Sequence, residues 1–251
     1  MGYLSDILNQ QRVPRRSEDR LRSIRDELEG VLRSNWNTAG PRFYYGGSFG
    51  KRTMIRESFD LDLVVYFPQT NQFTVRAFYE GVEQRLKSRG YVTRRHNVAI
   101  RLPYEGGFHV DVVPGRSMDA YFKYANLYSS EQDTTKQTSI KIHIEHIRNG
   151  GHQDVIKIMK LWRLRHSVPI GSFALELVIT QALFNNRAPD IEDQVLKVLE
   201  YLRDSYASAR LVDPANSNNV ISQDISRADK AAVQLAAGRS RSQTSWSDIV
   251  W

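Results

Sequence analysis

Two aspartates at the head of an apolar run are the residues of this chain best suited to bind a metal ion. Asp60 and Asp62 are separated by one residue and lead into the run 63–67. Because side chains alternate along a strand, both carboxylates are expected on one face. Neighbouring carboxylates repel each other and stay ionised at low cost only beside a cation or in water. Divalent magnesium suits such a pair, since it takes carboxylate oxygens and keeps other positions for water and substrate phosphates.

A glycine-rich turn precedes the aspartates and is suited to hold a phosphate. Gly46, Gly47 and Ser48 follow an aromatic segment at residues 43–45. Glycines let backbone N–H groups come close to a phosphate, and a helix starting just after Ser48 would point its positive end at the same place. We therefore expect Gly47 and Ser48 to contact phosphate oxygens. The turn and the aspartates together predict nucleotide chemistry, which needs both a phosphate site and a metal site.

Each half of this pattern has an ordinary structural explanation when it is taken alone. A Gly-Gly-Ser turn is a common connection, and an Asp-x-Asp pair is common at the end of a strand. Here both occur, with eleven residues between Ser48 and Asp60. The combination of the two motifs indicates nucleotide chemistry far more specifically than either motif alone.

The combined motif resembles that of the DNA polymerase β-like nucleotidyltransferases. Their signature is Gly-Ser, a spacer near this length, and Asp-x-Asp after a hydrophobic residue. The family adds a third carboxylate from a later strand, and the resemblance gives that role to Asp111 in the mostly apolar segment 108–113. It implies two magnesium (or manganese) ions held by Asp60, Asp62 and Asp111, with Asp111 helping to deprotonate the attacking ribose hydroxyl.

Later segments resemble the helical half of one branch of this superfamily. MKLWR at 159–163, SFALEL at 172–177 and DPANSNN at 213–219 are similar to segments of the oligoadenylate synthetase and cyclic GMP–AMP synthase group. Its bacterial members are the CD-NTases, which make cyclic oligonucleotides in anti-phage defence. By that resemblance Lys160 and Ser172 hold the triphosphate of the donor nucleotide. Without it, they would be interpreted as a solvated helix lysine and a helix cap.

One residue departs from the family pattern. The family often has glycine before the threonine that matches Thr53, whereas this chain has Arg52. The substitution is expected to alter the turn after Ser48 while leaving the role of Ser48 intact.

Composition excludes several classes of protein. The chain has 251 residues, no cysteine and a net charge of +7. This length suits one domain or two small lobes. The lack of cysteine excludes disulfides and thiolate metal sites. The positive charge favours binding of polyanions such as nucleoside triphosphates. No apolar run approaches the roughly 18 residues of a membrane span, and the start has no signal-peptide pattern. We expect a cytoplasmic protein without a membrane partner, and a monomer by default.

The elements around these motifs predict an α+β fold in two lobes. Residues 1–16 are interpreted as a loosely ordered arm and residues 114–150 as irregular. Helices are predicted from Ser17 and at 74–89, 154–166, 171–186, 191–209 and 222–237, and strands at 42–45, 60–67, 91–95, 98–102 and 108–113. We predict a polymerase-β-like nucleotidyltransferase lobe over residues 1–150, with a mixed sheet and flanking helices. A helical lobe over residues 151–251 follows, with the active cleft between the two.

Three functions are compatible with these patterns. The first is a synthase that joins nucleoside triphosphates (ATP, with GTP, CTP or UTP as further candidates) into a cyclic or short linear product, with a nucleic acid or a protein as a candidate activator. The second is transfer to an RNA or protein acceptor, which the six arginines from Arg12 to Arg25 support unless they form a solvated face. The third is a non-enzymatic sensor that has kept the fold.

Overall fold

The computed structural model describes residues 2–34, 36, 40–185 and 190–251. The helices are α1 (Tyr3–Gln10), α2 (Arg15–Arg33), α3 (Gly47–Lys51), α4 (Val75–Ser88), α5 (Ile140–Gly150), α6 (Gln153–Arg165), α7 (Ser172–Ala182), α8 (Ile191–Asp204), α9 (Arg227–Arg241) and α10 (Trp246–Ile249). The strands are β1 (Arg42–Tyr45), β2 (Leu61–Phe67), β3 (Arg94–His96), β4 (Ala99–Pro103), β5 (His109–Ser117), β6 (Ala125–Ser129), β7 (Thr134–Thr138), β8 (Val212–Asp213) and β9 (Asn216–Val220). Within these described ranges, no helix combines the length and the apolar character that a membrane crossing requires.

The chain divides into two compact units, and each takes pieces from separate parts of the sequence. The sheet unit comprises Val13–Arg52 and Ser58–Glu145. The helical unit comprises the N-terminal segment up to Arg12, then Thr53–Glu57, then His146–Trp251. The mixed sheet with its helices confirms the predicted α+β class. The predicted division at residue 150 stays a prediction.

A mixed sheet forms the centre of the sheet unit. Its strands run in the order β1-β2-β5-β4-β3, and β6 and β7 continue it beyond β5. The β2–β5 pair is parallel, whereas the remaining pairs of this sheet are antiparallel. Most side chains of β2 and β5 are buried, as expected for apolar strands covered on both faces. Asp60 and Asp62 therefore lie at the start of a central strand.

The prediction of irregular structure over residues 114–150 is wrong, because β5 continues to Ser117 and is followed by β6, β7 and α5. Pro114 and Gly115 look like a turn in the sequence. They lie where β5 exchanges β4 for β6 as its neighbour, and β5 stays paired with β2 through both residues. β7 escaped prediction because its polar residues are mostly exposed and lack the alternation of a half-buried strand.

The N-terminal segment forms a helix rather than the predicted loosely ordered arm. Leu4 and Ile7 of α1 are buried in the core of the helical unit. Their spacing of three residues places both on one face of a helix, but the segment is too short for this periodicity to be conclusive. α2 also begins earlier than predicted, at Arg15 instead of Ser17.

The core of the helical unit lies among α1, α6, α7, α8 and α9. Ile158, Leu161 and Trp162 of α6 are all buried there. α7 and α8 end at Ala182 and Asp204, earlier than predicted. The predicted end of the first of these helices, Asn186, lies outside the described residues.

The last helices differ from prediction at the residues that cap them. The helix expected from Ser222 begins instead after Ser226, whose side chain accepts a hydrogen bond from the backbone N–H of Asp229. Such a cap satisfies one of the unpaired N–H groups at a helix start.

The turn-rich segment 211–219 contributes to the β8–β9 hairpin, in which both carboxylate oxygens of Asp213 accept hydrogen bonds from within the hairpin.

Leu4→Ala is expected to destabilise the protein, because Leu4 is fully buried. Truncation of a buried leucine costs about 2–5 kcal/mol of unfolding free energy. Leu235→Ala in α9 is the matched control, since that leucine is exposed and its loss should cost no more than about 0.5 kcal/mol. Urea denaturation followed by circular dichroism measures both variants. Equal effects would contradict a buried α1.

Candidate functional site

Three carboxylates lie together where β2 and β5 run parallel. Asp62 on β2 is in register with Asp111 on β5, so both side chains point to the same face of the sheet, roughly 5 Å apart. Asp60 lies just before β2, and its Oδ1 is 3.0 Å from Nδ1 of His109. The same oxygen accepts a hydrogen bond from the backbone N–H of His109 on β5. The structure thus brings Asp60, Asp62 and Asp111 into one acidic group.

Two side chains that the sequence analysis left without a role contact this acidic group. Arg101 on β4 is in register with Asp111, and its Nε and NH2 donate to Oδ1 and Oδ2 of Asp111 at 2.9 and 2.8 Å. This bidentate hydrogen bonding raises the pKa of Arg101, so the guanidinium stays charged. The His109 imidazole lies between Asp60 and Asp111, with Nε2 3.6 Å from Oδ2 of Asp111. A lone arginine in the otherwise apolar β4 was the signal that could have found this contact.

The glycine turn packs directly on the acidic group. Gly47 has a positive φ of 45°, and a β-carbon placed there would overlap Oδ2 of Asp62. Only glycine fits beside this carboxylate. The Gly46 N–H donates to the backbone oxygen of Asp62 at 2.8 Å and so joins the turn to β2. α3 starts at Gly47, earlier than predicted, and Ser48 lies in its first turn.

Arg52 ends α3 in the left-handed conformation, with φ 61°. Glycine adopts this conformation at no steric cost, whereas another residue pays about 1–2 kcal/mol. This explains why glycine suits the position in the family that the sequence resembles. The departure at Arg52 therefore leaves the turn after Ser48 in place, at a cost in backbone strain.

In the helical unit, Lys160 is held in a buried ion pair. Its Nζ is 2.8 Å from Oε1 of Glu176 and donates to Oγ1 of Thr53 at 2.9 Å. Lys160, Glu176 and Thr53 are 7%, 2% and 0% exposed. The alternative interpretation of Lys160 as a solvated helix lysine is therefore wrong. The signal was the single glutamate in the apolar segment 173–179, because a buried carboxylate needs a cationic partner.

Ser172 lies at the start of α7, beside a second cation of α6. NH1 of Arg163 donates to Oγ of Ser172 at 3.1 Å and to the backbone oxygen of Ile170 at 3.0 Å. Burial lowers the pKa of Arg163. The residue in the N-cap position of α7 is Gly171, so Ser172 is not the helix cap that the alternative interpretation suggested. Arg163 belongs to the MKLWR segment, but only its lysine was assigned a role.

Arginines of α2 contact aromatic rings of the sheet unit. Their guanidinium carbons lie 4.9, 5.2 and 5.4 Å from the ring centroids, within the range of cation–π attraction. The pairs are Arg20 with Phe108, Arg22 with Phe49, and Arg25 with Tyr45. Part of the positive charge that suggested a nucleic-acid edge thus contributes to packing within this unit.

Comparisons with protein-family models and with curated protein sequences give no match, whereas solved structures match well. CdnC of E. coli MS115-1, solved as a CdnC:HORMA-deltaN complex, is 19% identical, with a TM-score of 0.74 over 93% of this chain and 86% of that chain. The CD-NTase CdnG of Bradyrhizobium diazoefficiens, in complex with GTP, is 11% identical, with a TM-score of 0.73 over 94% and 88%. The CdnE c-UMP-AMP synthase of Rhodothermus marinus, with Apcpp and Upnpp, is 17% identical, with a TM-score of 0.65 over 90% and 93%.

These likenesses establish the fold. Each covers at least 90% of this chain at low sequence identity. The chain therefore has the fold of CD-NTases, and the resemblance predicted from its motifs is confirmed at the level of the fold.

Gly47→Ala is expected to lower the unfolding free energy by about 2–5 kcal/mol, because backbone strain adds to the overlap with Asp62. Gly90→Ala is the matched control. It also has a positive φ, but no atom lies within 4 Å of the added carbon, so strain alone should cost about 1–2 kcal/mol. Chemical denaturation compares the two variants. Equal losses would mean that the Asp62 carboxylate does not lie against Gly47.

Lys160→Met is expected to cost about 3–5 kcal/mol of unfolding free energy, because it leaves the Glu176 carboxylate buried without its cation. The double variant Lys160→Met/Glu176→Leu should recover most of that loss, since the buried charge is then gone as well. Denaturant titration of both variants measures the difference. A single variant as stable as the unmodified protein would contradict a buried ion pair.

Proposed function

We propose that this protein is a metal-dependent nucleotidyltransferase that joins ribonucleoside triphosphates into a cyclic or short linear oligonucleotide and releases pyrophosphate. The main support is the contact between Gly47 and the Asp62 carboxylate. Through it, a turn suited to phosphate meets a group of hard oxygen ligands, as nucleotidyl transfer requires. The fold shared with the CdnE c-UMP-AMP synthase supports the same class of reaction.

Two magnesium or manganese ions are the cofactors in this proposal. Carboxylate oxygens are the ligands that both ions favour, and Asp60, Asp62 and Asp111 would hold them. When bound, the ions would neutralise phosphate charge and favour ionisation of the attacking hydroxyl. Over the described ranges, no three His, Asp or Glu side chains are already arranged as a metal site. Asp111 also has to share its oxygens with Arg101.

The protein's own residues have separate tasks in the proposal. Asp111 helps to deprotonate the attacking ribose hydroxyl, and the bidentate contact with Arg101 fixes the orientation of its carboxylate. Gly47 and Ser48 bind phosphate oxygens through the turn and the start of α3.

In the helical unit, Ser172 and Lys160 are the proposed ligands of the triphosphate. Ser172 is exposed and accessible. Lys160 already contacts Thr53 and Glu176, so it would have to exchange one of these contacts for a phosphate oxygen. Its charge is largely balanced by Glu176.

ATP, GTP, CTP and UTP are the candidate substrates. The CdnG structure contains GTP, and the CdnE structure contains Apcpp and Upnpp. CdnC was solved with HORMA-deltaN, which supports including a protein activator in the proposal beside a nucleic acid. We further propose that the protein acts as a monomer in the cytoplasm and that its product is a second messenger in anti-phage defence.

Product analysis tests this function. The purified protein is incubated with all four ribonucleoside triphosphates and Mg²⁺ or Mn²⁺, then with phosphatase, and the surviving nucleotides are identified by mass spectrometry. A phosphatase-resistant oligonucleotide is the expected product. Products that form only on added RNA would favour the second candidate function, transfer to a macromolecular acceptor.

Asp62→Asn is expected to lower turnover on the order of a thousandfold, because the metal contributes several kcal/mol to stabilising the transition state. The exposed Asp224→Asn is the matched control and should leave turnover unchanged. Pyrophosphate release measures both variants. Near-normal turnover of Asp62→Asn would rule out the proposed metal site.

A further inference from the structure

α6 and α7 meet through two cation contacts of different kinds. Lys160 and Arg163 are three residues apart on α6, and Ser172 and Glu176 are four residues apart on α7, so each pair shares one helix face. Lys160 pairs with the Glu176 carboxylate. Arg163 meets the Ser172 hydroxyl, which carries no charge. The first contact is neutral as a pair, and the second leaves one net positive charge.

No carboxylate oxygen of the described residues lies within 4.0 Å of the Arg163 guanidinium. Burial lowers the pKa of Arg163 because the guanidinium loses hydration, and the more distant Glu176 offsets only part of that effect. A partly buried cation without a counter-ion is costly. An anion that binds beside the guanidinium would offset its lost hydration.

The remaining donors of Arg163 suit a phosphate. A guanidinium carries five N–H donors in a planar arrangement that matches phosphate oxygens, often two at a time. NH1 is engaged by Ser172 and Ile170, whereas Nε and NH2 make no hydrogen bond within the described part of the chain. Because Ser172 is exposed, an anion can reach this contact.

We infer that Arg163 and Ser172 together bind a phosphate group of the nucleoside triphosphate, with Arg163 supplying the net charge. This inference rests on the proposed function and adds to it a residue that the motif resemblance left without a role. It also differs from a structural role of Arg163 in one testable respect. A carboxylate introduced beside a structural arginine would only raise the stability of the protein. Beside a phosphate-binding arginine, it would also lower the affinity for phosphate.

Ser172→Asp uses this difference. The new carboxylate should pair with Arg163 and raise the melting temperature, while it repels phosphate and lowers the affinity for triphosphate. The aspartate also lies at a helix start, where the helix dipole favours it. In an Arg163→Gln background the gain in melting temperature should therefore shrink to the dipole contribution alone, and this double-mutant comparison isolates the pair.

Binding is measured by calorimetry with ATP and with inorganic tripolyphosphate, which has no base or sugar. Arg163→Gln should weaken both roughly tenfold to a hundredfold, the range expected for a lost hydrogen bond to a charged group, and Arg163→Lys should recover part of the affinity. Arg165→Gln is the matched control, because Arg165 is paired with Glu57. The affinity of this variant for ATP and tripolyphosphate should be unchanged.

The outcomes separate this inference from the proposed function. An unmodified protein that binds neither ATP nor tripolyphosphate would overturn both. If the unmodified protein binds them and Arg163→Gln binds equally well, only the inference fails. Should Arg163→Gln not fold, Ser172→Asp decides, since unchanged triphosphate affinity in that variant would overturn the role of Arg163.

Discussion

The parallel, in-register pairing of β2 with β5 is the constraint on which the acidic group of the sheet unit depends. Asp62 and Asp111 are neighbours only because β2 and β5 are parallel and in register. A shift of one residue would turn either side chain to the opposite face. The same register sets Arg101 opposite Asp111 on β4, so acid and counter-charge stand in one row across three strands. The strand pairing therefore arranges the electrostatics as well as the core.

The helical unit also holds a carboxylate that needs a counter-charge, and this one lies in its interior. Glu176 is almost fully buried in an apolar helix, and Lys160 and Thr53 satisfy it together. Buried pairs of this kind add little net stability, yet removal of one partner is costly. The neighbouring contact of Arg163 with Ser172 is the exception, because it lies where the side chains become accessible to solvent and lacks an acid. The two contacts differ in burial and in charge balance.

The sequence predicted those features that depend on local pattern. The apolar run 63–67 predicted the strand that carries Asp62, and the glycine turn was recognised from its residue types. Asp60 was predicted as part of the same strand and lies just before it. The counter-charges could not be predicted in the same way, because their partners are distant in the sequence. Thr53 and Lys160 are 107 positions apart, and no local periodicity connects them.

The other errors of prediction have their own physical reasons. β7 lacks alternation because it is a polar edge strand, and α1 offers two buried residues in a single short helix. In each case tertiary contacts decide a structure that local propensity leaves open. The motif resemblance supplied Lys160 and Ser172 as candidates, but it gave no indication of how each is paired within the helical unit.

The helical unit is assembled from three separate stretches of chain, with four crossing points between the two units along the sequence. A single cut cannot therefore release either unit with all of its parts. A fragment that begins near residue 146 would lack the buried leucine of α1 and the threonine that contacts Lys160. The two units cannot be exchanged as cassettes between related genes by one recombination event, so we expect them to have diversified together, through substitutions and loop insertions within an intact chain.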